Sequence, residues 1–151
     1  MSGTPGRTVV IVDTNVVVAG LLTVNGASPV ARILDGMLAA AFPFVVSEAL
    51  LAEYRTVLVR PNLRKLHRLT IAEVEMILTD LAQHAIVLNP PPLAAPPAPD
   101  PGAQLLWDLL AARADLLLVT GDKLLLKDRG MQGRVVAPQG FVAGPDLDRR
   151  S

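Results

Sequence analysis

Acidic side chains follow three apolar, strand-like runs of this sequence. Asp13 comes directly after TVVIV, Glu48 comes after Ser47 at the end of FPFVV, and Asp122 follows the Thr120-Gly121 pair that ends LLLV. In parallel sheets, ligands bind outside the carboxyl ends of the strands. We therefore expect these three carboxylates to converge at one edge of a sheet.

Convergence of carboxylates has an electrostatic cost that indicates a ligand. Like charges a few ångströms apart repel, and one group would take up a proton unless a cation neutralises it. Hard divalent cations such as Mg²⁺ or Mn²⁺ prefer oxygen ligands. Such an ion could also bind a phosphate and activate a water molecule for attack on phosphorus. The sequence therefore predicts a metal site made of Asp13, Glu48 and Asp122.

Each of these acids also has an ordinary structural interpretation. Asp13 could cap the helix that follows it, Glu48 could favour a helix N-terminus through the helix dipole, and Asp122 could be a turn residue. The coincidence of three acids at equivalent strand ends is more informative than any one of them.

The elements that must position these acids alternate along the chain. Predicted strands lie at 8–12, 42–46, 85–88, 116–119 and 134–136, and helices fill the segments between them, giving the order β-α-α-β-α-α-β-α-β-α-β. Ser28-Pro29 and the Thr70–Glu73 capping box mark two helix starts, and Pro61 marks a helix end. This alternation predicts an α/β fold with a mostly parallel sheet of four to five strands and helices on both faces.

Length and composition narrow the class of protein. The 151 residues make one domain, with its core at about 8–142, a stiff proline-rich connector at 89–101 and a tail at 143–151. Net charge is zero, which excludes a chain that coats nucleic acid by charge alone. The absence of cysteine excludes disulfides and cysteine-based zinc sites. No signal peptide or membrane-length apolar run is evident, so we expect a cytoplasmic protein.

Three segments closely resemble the PIN-domain family in order and spacing: VVIVDTNVVVAGLL, FVVSEALLAEYRTVLVRPNL and ADLLLVTGDKLLL. They look most like the branch that comprises toxin components of toxin–antitoxin systems. The resemblance implies a three-layer α/β/α fold, Mg²⁺- or Mn²⁺-dependent ribonuclease activity, an antitoxin partner and a homodimer. It also implies that Asp13, Glu48 and Asp122 are the metal-site carboxylates, with Asn15 and Thr120 as supporting polar residues.

The sequence departs from the family pattern at the helix before the fourth strand. The family usually has an acid where this chain has Ala103, in the run Asp100-Pro101-Gly102-Ala103. Alanine cannot bind a metal, although Asp100 lies close enough along the chain to reach the site. We therefore expect weaker metal binding and reduced activity. The alternative is an inactive PIN domain that binds RNA or a protein.

A basic stretch between two predicted helices could contact RNA. Its candidate phosphate-binding residues are Arg60, Arg64, Lys65 and Arg68. A solvated surface without a partner is the simpler interpretation of such a stretch. A receiver-like signalling domain is disfavoured because neither middle strand ends in a phosphoacceptor Asp, and a dinucleotide-binding enzyme because no G-x-G-x-x-G follows the first strand.

Overall fold

A computed structural model describes residues 8–91 and 96–144 of the chain. Within them, strands and helices alternate as expected for an α/β fold. The strands are β1 (Val9–Val12), β2 (Val45–Val46), β3 (Ile86–Val87), β4 (Leu116–Val119) and β5 (Val135–Val136). The helices are α1 (Thr14–Leu22), α2 (Pro29–Leu38), α3 (Glu48–Leu58), α4 (Pro61–His67), α5 (Ile71–His84), α6 (Gln104–Ala112), α7 (Lys123–Leu126) and α8 (Pro138–Val142).

The strand pairs that the structure describes are all parallel. β1 pairs with β4 in the register Val12↔Val119, β4 pairs with β5, and β2 pairs with β3. A single bridge between Val10 and Phe44 joins the two groups of strands and gives the spatial order β3-β2-β1-β4-β5. The predicted mostly parallel α/β sheet is confirmed, and the carboxyl ends of β1 and β4 lie side by side.

Aliphatic side chains fill the core, as the composition indicates. β1 is completely buried from Val10 onward, and the helices contribute Ile33, Leu50, Leu58 and Leu109 with no exposed surface. Trp107 is also buried, so it packs in the core and offers no stacking surface to a ligand. Burial on both sides explains why β1 and β4 read as continuous apolar runs.

Two helices were absent from the sequence-based prediction, and each begins with proline. α4 starts at Pro61 and α8 starts at Pro138, with proline in the first turn of both. Proline was interpreted as a helix end at Pro61, but its fixed φ also suits the first position of a helix. α3 therefore ends at Leu58, shortly before Pro61, and α4 begins at Pro61 itself.

Parts of two predicted segments lie outside the described residues. In the proline-rich connector these are residues 92–95, and in the tail they are residues 145–151. Among the helices of the described ranges, none is long and apolar enough to cross a membrane.

Candidate active site

A cavity of about 490 Å³ opens where α1, α3, α6 and α7 meet the carboxyl ends of β1 and β4. Four acids line it: Asp13, Glu53, Asp100 and Asp122. The rest of its wall is mainly small or apolar, made of Thr14, Asn15, Val18, Ala19, Leu22, Val57, Gly102, Ala103, Leu106 and Leu125. The lining of the cavity therefore combines four acidic side chains with a mainly small or apolar remainder.

Asp13 is fixed at the end of β1 by main-chain and side-chain contacts. Its N–H donates to the Val119 carbonyl at 2.9 Å, which continues the ladder with β4. Its Oδ1 accepts from the Thr14 N–H at 2.7 Å, and its Oδ2 accepts from the Thr120 hydroxyl at 2.7 Å and from Asn15 Nδ2 at 3.4 Å. Asp13 is thus both the N-cap of α1 and a cavity residue.

Asp122 is positioned in the same way after β4. Its N–H donates to Thr120 Oγ1 at 3.0 Å, and its Oδ1 accepts from the Leu124 N–H at 2.9 Å, which caps α7. The Gly121 N–H donates to Asn15 Oδ1 at 3.2 Å. The structure therefore brings Asp13, Asn15, Thr120 and Asp122 together at the ends of β1 and β4.

Glu48 lies outside the lining of this cavity. It is the first residue of α3 and is exposed, and its carboxylate accepts a 3.2 Å hydrogen bond from Asn89 Nδ2. Asn89 Oδ1 in turn accepts from the Glu48 N–H at 2.8 Å. The expectation that Glu48 converges with Asp13 and Asp122 is corrected: the side chain starts a helix and secures the end of β3.

Glu53, and not the predicted Glu48, is the acid of α3 that lines the cavity. It lies in the middle of α3, lines the cavity and accepts a short hydrogen bond from the Thr14 hydroxyl. Its neighbours along one helix face are the buried Leu50 and the cavity residue Val57. The position of Glu53 within this apolar stripe is a sequence signal for a functional acid, because a Glu that is only solvated belongs on the opposite face of the helix.

The segment before α6 places Asp100 at the cavity and leaves Ala103 as wall. Asp100 lines the cavity, and no cap hydrogen bond engages its side chain. Ala103 is buried and lines the same space, so its methyl group occupies the predicted position of an acid. Gln104 does not replace that acid, since its side chain binds the main chain of Pro96 and Ala98 and the carboxylate of Asp108.

Burial controls the protonation of Asp13. The pKa of Asp13 is raised above its ordinary value of 3.8, chiefly because burial disfavours the charged form. Hydrogen bonds from Thr120 and Thr14 oppose this rise, whereas the negative charges of Glu53 and Asp122 add to it. The carboxylates therefore interact electrostatically across the cavity.

The donor chemistry of the cavity suits a hard cation with few protein ligands. Among the residues that the structure describes, no three carboxylate or imidazole groups stand close enough to form a ready-made metal site. Mg²⁺ is usually held by only one or two carboxylates together with water and substrate phosphate, so the absence of a three-ligand cage is compatible with it. Asp13 and Asp122, on neighbouring strand ends, are the pair that fits this role.

The predicted RNA-binding residues lie on a different part of the surface. Arg60 occupies the N-cap position of α4 without a side-chain capping bond, Arg64 and Lys65 lie within the helix, and Arg68 follows its last residue. They are outside the lining of the acidic cavity, although α4 packs on α1 and α3, which both contribute to its wall.

Comparison with known proteins assigns the chain to a family. The family model described as "PIN domain" matches residues 9–124, which include β1 to β4 and every acid of the cavity. Neither the curated proteins nor the solved structures give a match. PIN domains are generally nucleases and typically use divalent metals. Because the match covers well over half of its length, this chain belongs to the PIN-domain family.

Proposed function

We propose that this protein is a metal-dependent ribonuclease that hydrolyses RNA phosphodiester bonds at the acidic cavity. The observation that carries the proposal is the shared cavity of Asp13, Glu53 and Asp122, in which Asp13 is buried and has a raised pKa. A buried, repelling set of carboxylates gains stability when a divalent cation binds. The PIN-domain membership supports a nuclease in general.

Asp13 and Asp122 are proposed to hold Mg²⁺ or Mn²⁺. When bound, the ion would offset charge on phosphate oxygens and make a water molecule more acidic. Thr120 serves both carboxylates, because its hydroxyl donates to Asp13 Oδ2 and accepts from the Asp122 N–H. Thr120 would thereby hold the two acids at a constant separation while substrate enters.

Glu53 is proposed to orient the attacking water. One of its oxygens, Oε2, accepts from the Thr14 hydroxyl, which fixes the carboxylate against α1. A carboxylate held in this way can accept a hydrogen bond from water and take up its proton. Asn15 would keep the loop after β4 in place through its bond to the Gly121 N–H.

Cleavage assays on purified protein test this function. Wild-type protein should cleave single-stranded RNA, and not the matching DNA, when Mn²⁺ or Mg²⁺ is present, and excess EDTA should stop the reaction. Asp13→Asn should abolish cleavage while leaving the circular dichroism spectrum unchanged. Cleavage by Asp13→Asn at the wild-type rate would contradict the assignment.

A second candidate function is a non-catalytic binding module with the same fold. The observation that favours it is Ala103, whose methyl group lines the cavity where the family pattern has an acid. Calorimetric titration separates the two functions. A module of this kind would bind RNA or a protein and show no heat of Mg²⁺ or Mn²⁺ binding, whereas the ribonuclease would bind the ion.

A toxin role in a toxin–antitoxin pair is a further part of the proposal. It is supported by the resemblance of the segments around Asp13, Glu53 and Asp122 to that branch of the family. Induced expression should arrest growth of the host cell, and Asp13→Asn should not. Growth arrest by both proteins would exclude RNA cleavage as its cause. We also propose that the protein is a cytoplasmic homodimer. Co-purification would reveal a bound antitoxin, and light scattering would measure the mass expected of a dimer.

A further inference from the structure

A second depression, of about 450 Å³, lies at the junction of α4 and α5. Its lining consists of Pro61, Arg64, Lys65, Arg68, Leu69 and Thr70. Half of these side chains are cationic and none is acidic. In a chain of zero net charge, such a local concentration of positive charge is suited to an anionic ligand.

The cations of this depression have no carboxylate partners within the described residues. The ion pairs described there join Arg55 to Glu75 and Arg113 to Asp115, at other parts of the surface. In addition, the Nε of Arg64 is buried and makes no hydrogen bond within the described part of the chain. The Nε of Arg64 therefore has no internal acceptor, and no carboxylate of the described residues neutralises this guanidinium.

His67 holds the turn that shapes the depression. The Leu69 N–H donates to its Nδ1 at 3.0 Å, so the ring proton is on Nε2, which donates to the Leu58 carbonyl at 2.9 Å. Arg68, between them, has a left-handed backbone with φ 62°. The imidazole thus ties the turn to the end of α3 and keeps the cationic side chains together before a ligand arrives.

The helices that form the depression and the acidic cavity are in contact, although the two linings share no residue. Val57 lines the cavity, and its carbonyl accepts a 3.2 Å hydrogen bond from the N–H of Arg60, the residue that begins α4. α4 packs on both α1 and α3. The segment from Val57 to Arg60 therefore connects the wall of the cavity to the helix that carries the basic residues.

We propose that this depression binds backbone phosphates of the RNA on one side of the cleaved bond. The inference rests on the proposed ribonuclease function, because the neighbouring nuclease cavity is what favours RNA over a phosphorylated peptide or an anionic membrane. Lys65 and Arg68 are exposed and contact phosphate directly, while the half-buried Arg64 adds the positive charge of its guanidinium to the lining. These contacts add affinity without reading the base sequence.

Binding of a non-cleavable RNA in the absence of metal tests the site separately from catalysis. The probe is a single-stranded 2′-O-methyl RNA of twenty nucleotides with a fluorescent label, in EDTA. Lys65→Gln/Arg68→Asn should weaken binding about tenfold, and the slope of log K against log salt should fall by about 1.4, or about 0.7 for each lost phosphate contact. Asparagine is chosen because it tolerates the left-handed backbone at position 68.

The matched control is Lys127→Gln/Arg129→Gln, which removes the same charge from exposed positions outside the depression. We expect its affinity to stay within twofold of wild type, and Lys65→Arg to retain wild-type binding. Equal weakening by both double variants, or by neither, would overturn the site. So would binding of wild type to vesicles of anionic phospholipid, or to a phosphopeptide, but not to RNA. If the RNA binds as expected and no metal supports cleavage, the depression stands and the proposed nuclease activity fails.

Discussion

The Thr120 hydroxyl donates a 2.7 Å hydrogen bond to Oδ2 of Asp13, across 107 residues of chain. The contact joins the ends of β1 and β4 through their side chains, one step beyond the last main-chain bond of the ladder. Both residues are buried, so water does not compete with the contact. The position of Asp13 in the cavity therefore depends on the strand order of the sheet, and not only on the local turn.

The first prediction compares two acids of the same helix. Glu53→Gln should reduce Mn²⁺-dependent RNA cleavage at least tenfold, because Glu53 lines the cavity and Glu48 does not. Glu48→Gln should change the rate less than twofold, since this side chain is exposed and is hydrogen-bonded to Asn89, away from the cavity lining. Initial rates of both variants decide the question. A larger loss of cleavage rate in Glu48→Gln than in Glu53→Gln would favour Glu48, the acid predicted from the sequence, over Glu53.

The second prediction concerns the missing acid. Ala103→Asp should strengthen Mg²⁺ binding and raise the cleavage rate several-fold, because it returns a carboxylate to the cavity wall. Without metal the variant should lose about 1–3 kcal/mol of unfolding free energy, since the new group is buried beside other acids. Calorimetry and denaturant unfolding with and without Mg²⁺ provide the measurements.

Ala111→Asp is the control for that experiment, because Ala111 lies in α6, the helix that Ala103 precedes, and is exposed. It should leave metal affinity unchanged. If Ala103→Asp binds Mg²⁺ no better than wild type, the absence of an acid at position 103 does not affect metal affinity.

The third prediction follows from the raised pKa of Asp13 in the metal-free protein. Between the ordinary value of 3.8 and the higher native pKa, the folded state binds more protons than the unfolded state. This group therefore contributes a loss of stability as the pH rises through that window. Asp13→Asn lacks the titration, so its stability relative to wild type should increase across the same window. Urea unfolding at a series of pH values measures the difference, and a constant difference would contradict the assigned shift.

The fourth prediction concerns Tyr54, which is fully buried and donates its hydroxyl hydrogen to the Val12 carbonyl. Burial raises the pKa of this phenol, and the charges of Asp13 and Glu53 raise it further, so it remains a donor at any physiological pH. Tyr54→Phe should cost about 1–3 kcal/mol of unfolding free energy, because it leaves a buried carbonyl without this partner.

Tyr54→Phe should also slow RNA cleavage more than its stability loss explains at 25 °C. Tyr54 follows Glu53, and its hydroxyl binds Val12, which precedes Asp13, so the lost hydrogen bond links the neighbours of two cavity acids. Leu51→Ala, at a half-buried position of the same helix, serves as a comparison of stability alone. Equal cleavage rates in fully folded Tyr54→Phe and wild type would show that the hydroxyl serves only stability.

The positions of acids at strand ends follow directly from the sequence, whereas the only sequence signal for Glu53, an acid within the apolar stripe of a helix, is weaker. Asp13 and Asp122 follow buried parallel strands, and the geometry of such sheets requires their side chains to share an edge. Glu53 acts from the second turn of α3, so its position depends on how that helix rolls on β1. That orientation involves tertiary contacts such as the hydrogen bond from Tyr54 to Val12, which leave no signal at a strand end.

The proline signals show a similar limit. Pro61 was correctly predicted to end α3, but α4 was not expected after it. The helix that follows is short, and its stability comes from contacts with α1 and α3 and from His67. Contacts of this kind are tertiary and leave no periodic pattern in seven residues.

The bridge between Val10 and Phe44 is the only described strand pairing that joins β1-β4-β5 to β2-β3. The acids of the cavity are distributed between these two hydrogen-bonded units. Asp13 and Asp122 follow strands of one unit, whereas Glu53 is on the helix that follows a strand of the other. Amide hydrogen exchange would then report two levels of protection, with β2 and β3 opening at lower free energy than β1 and β4. The acids of the cavity would then separate on such a partial opening, well before the chain unfolds as a whole.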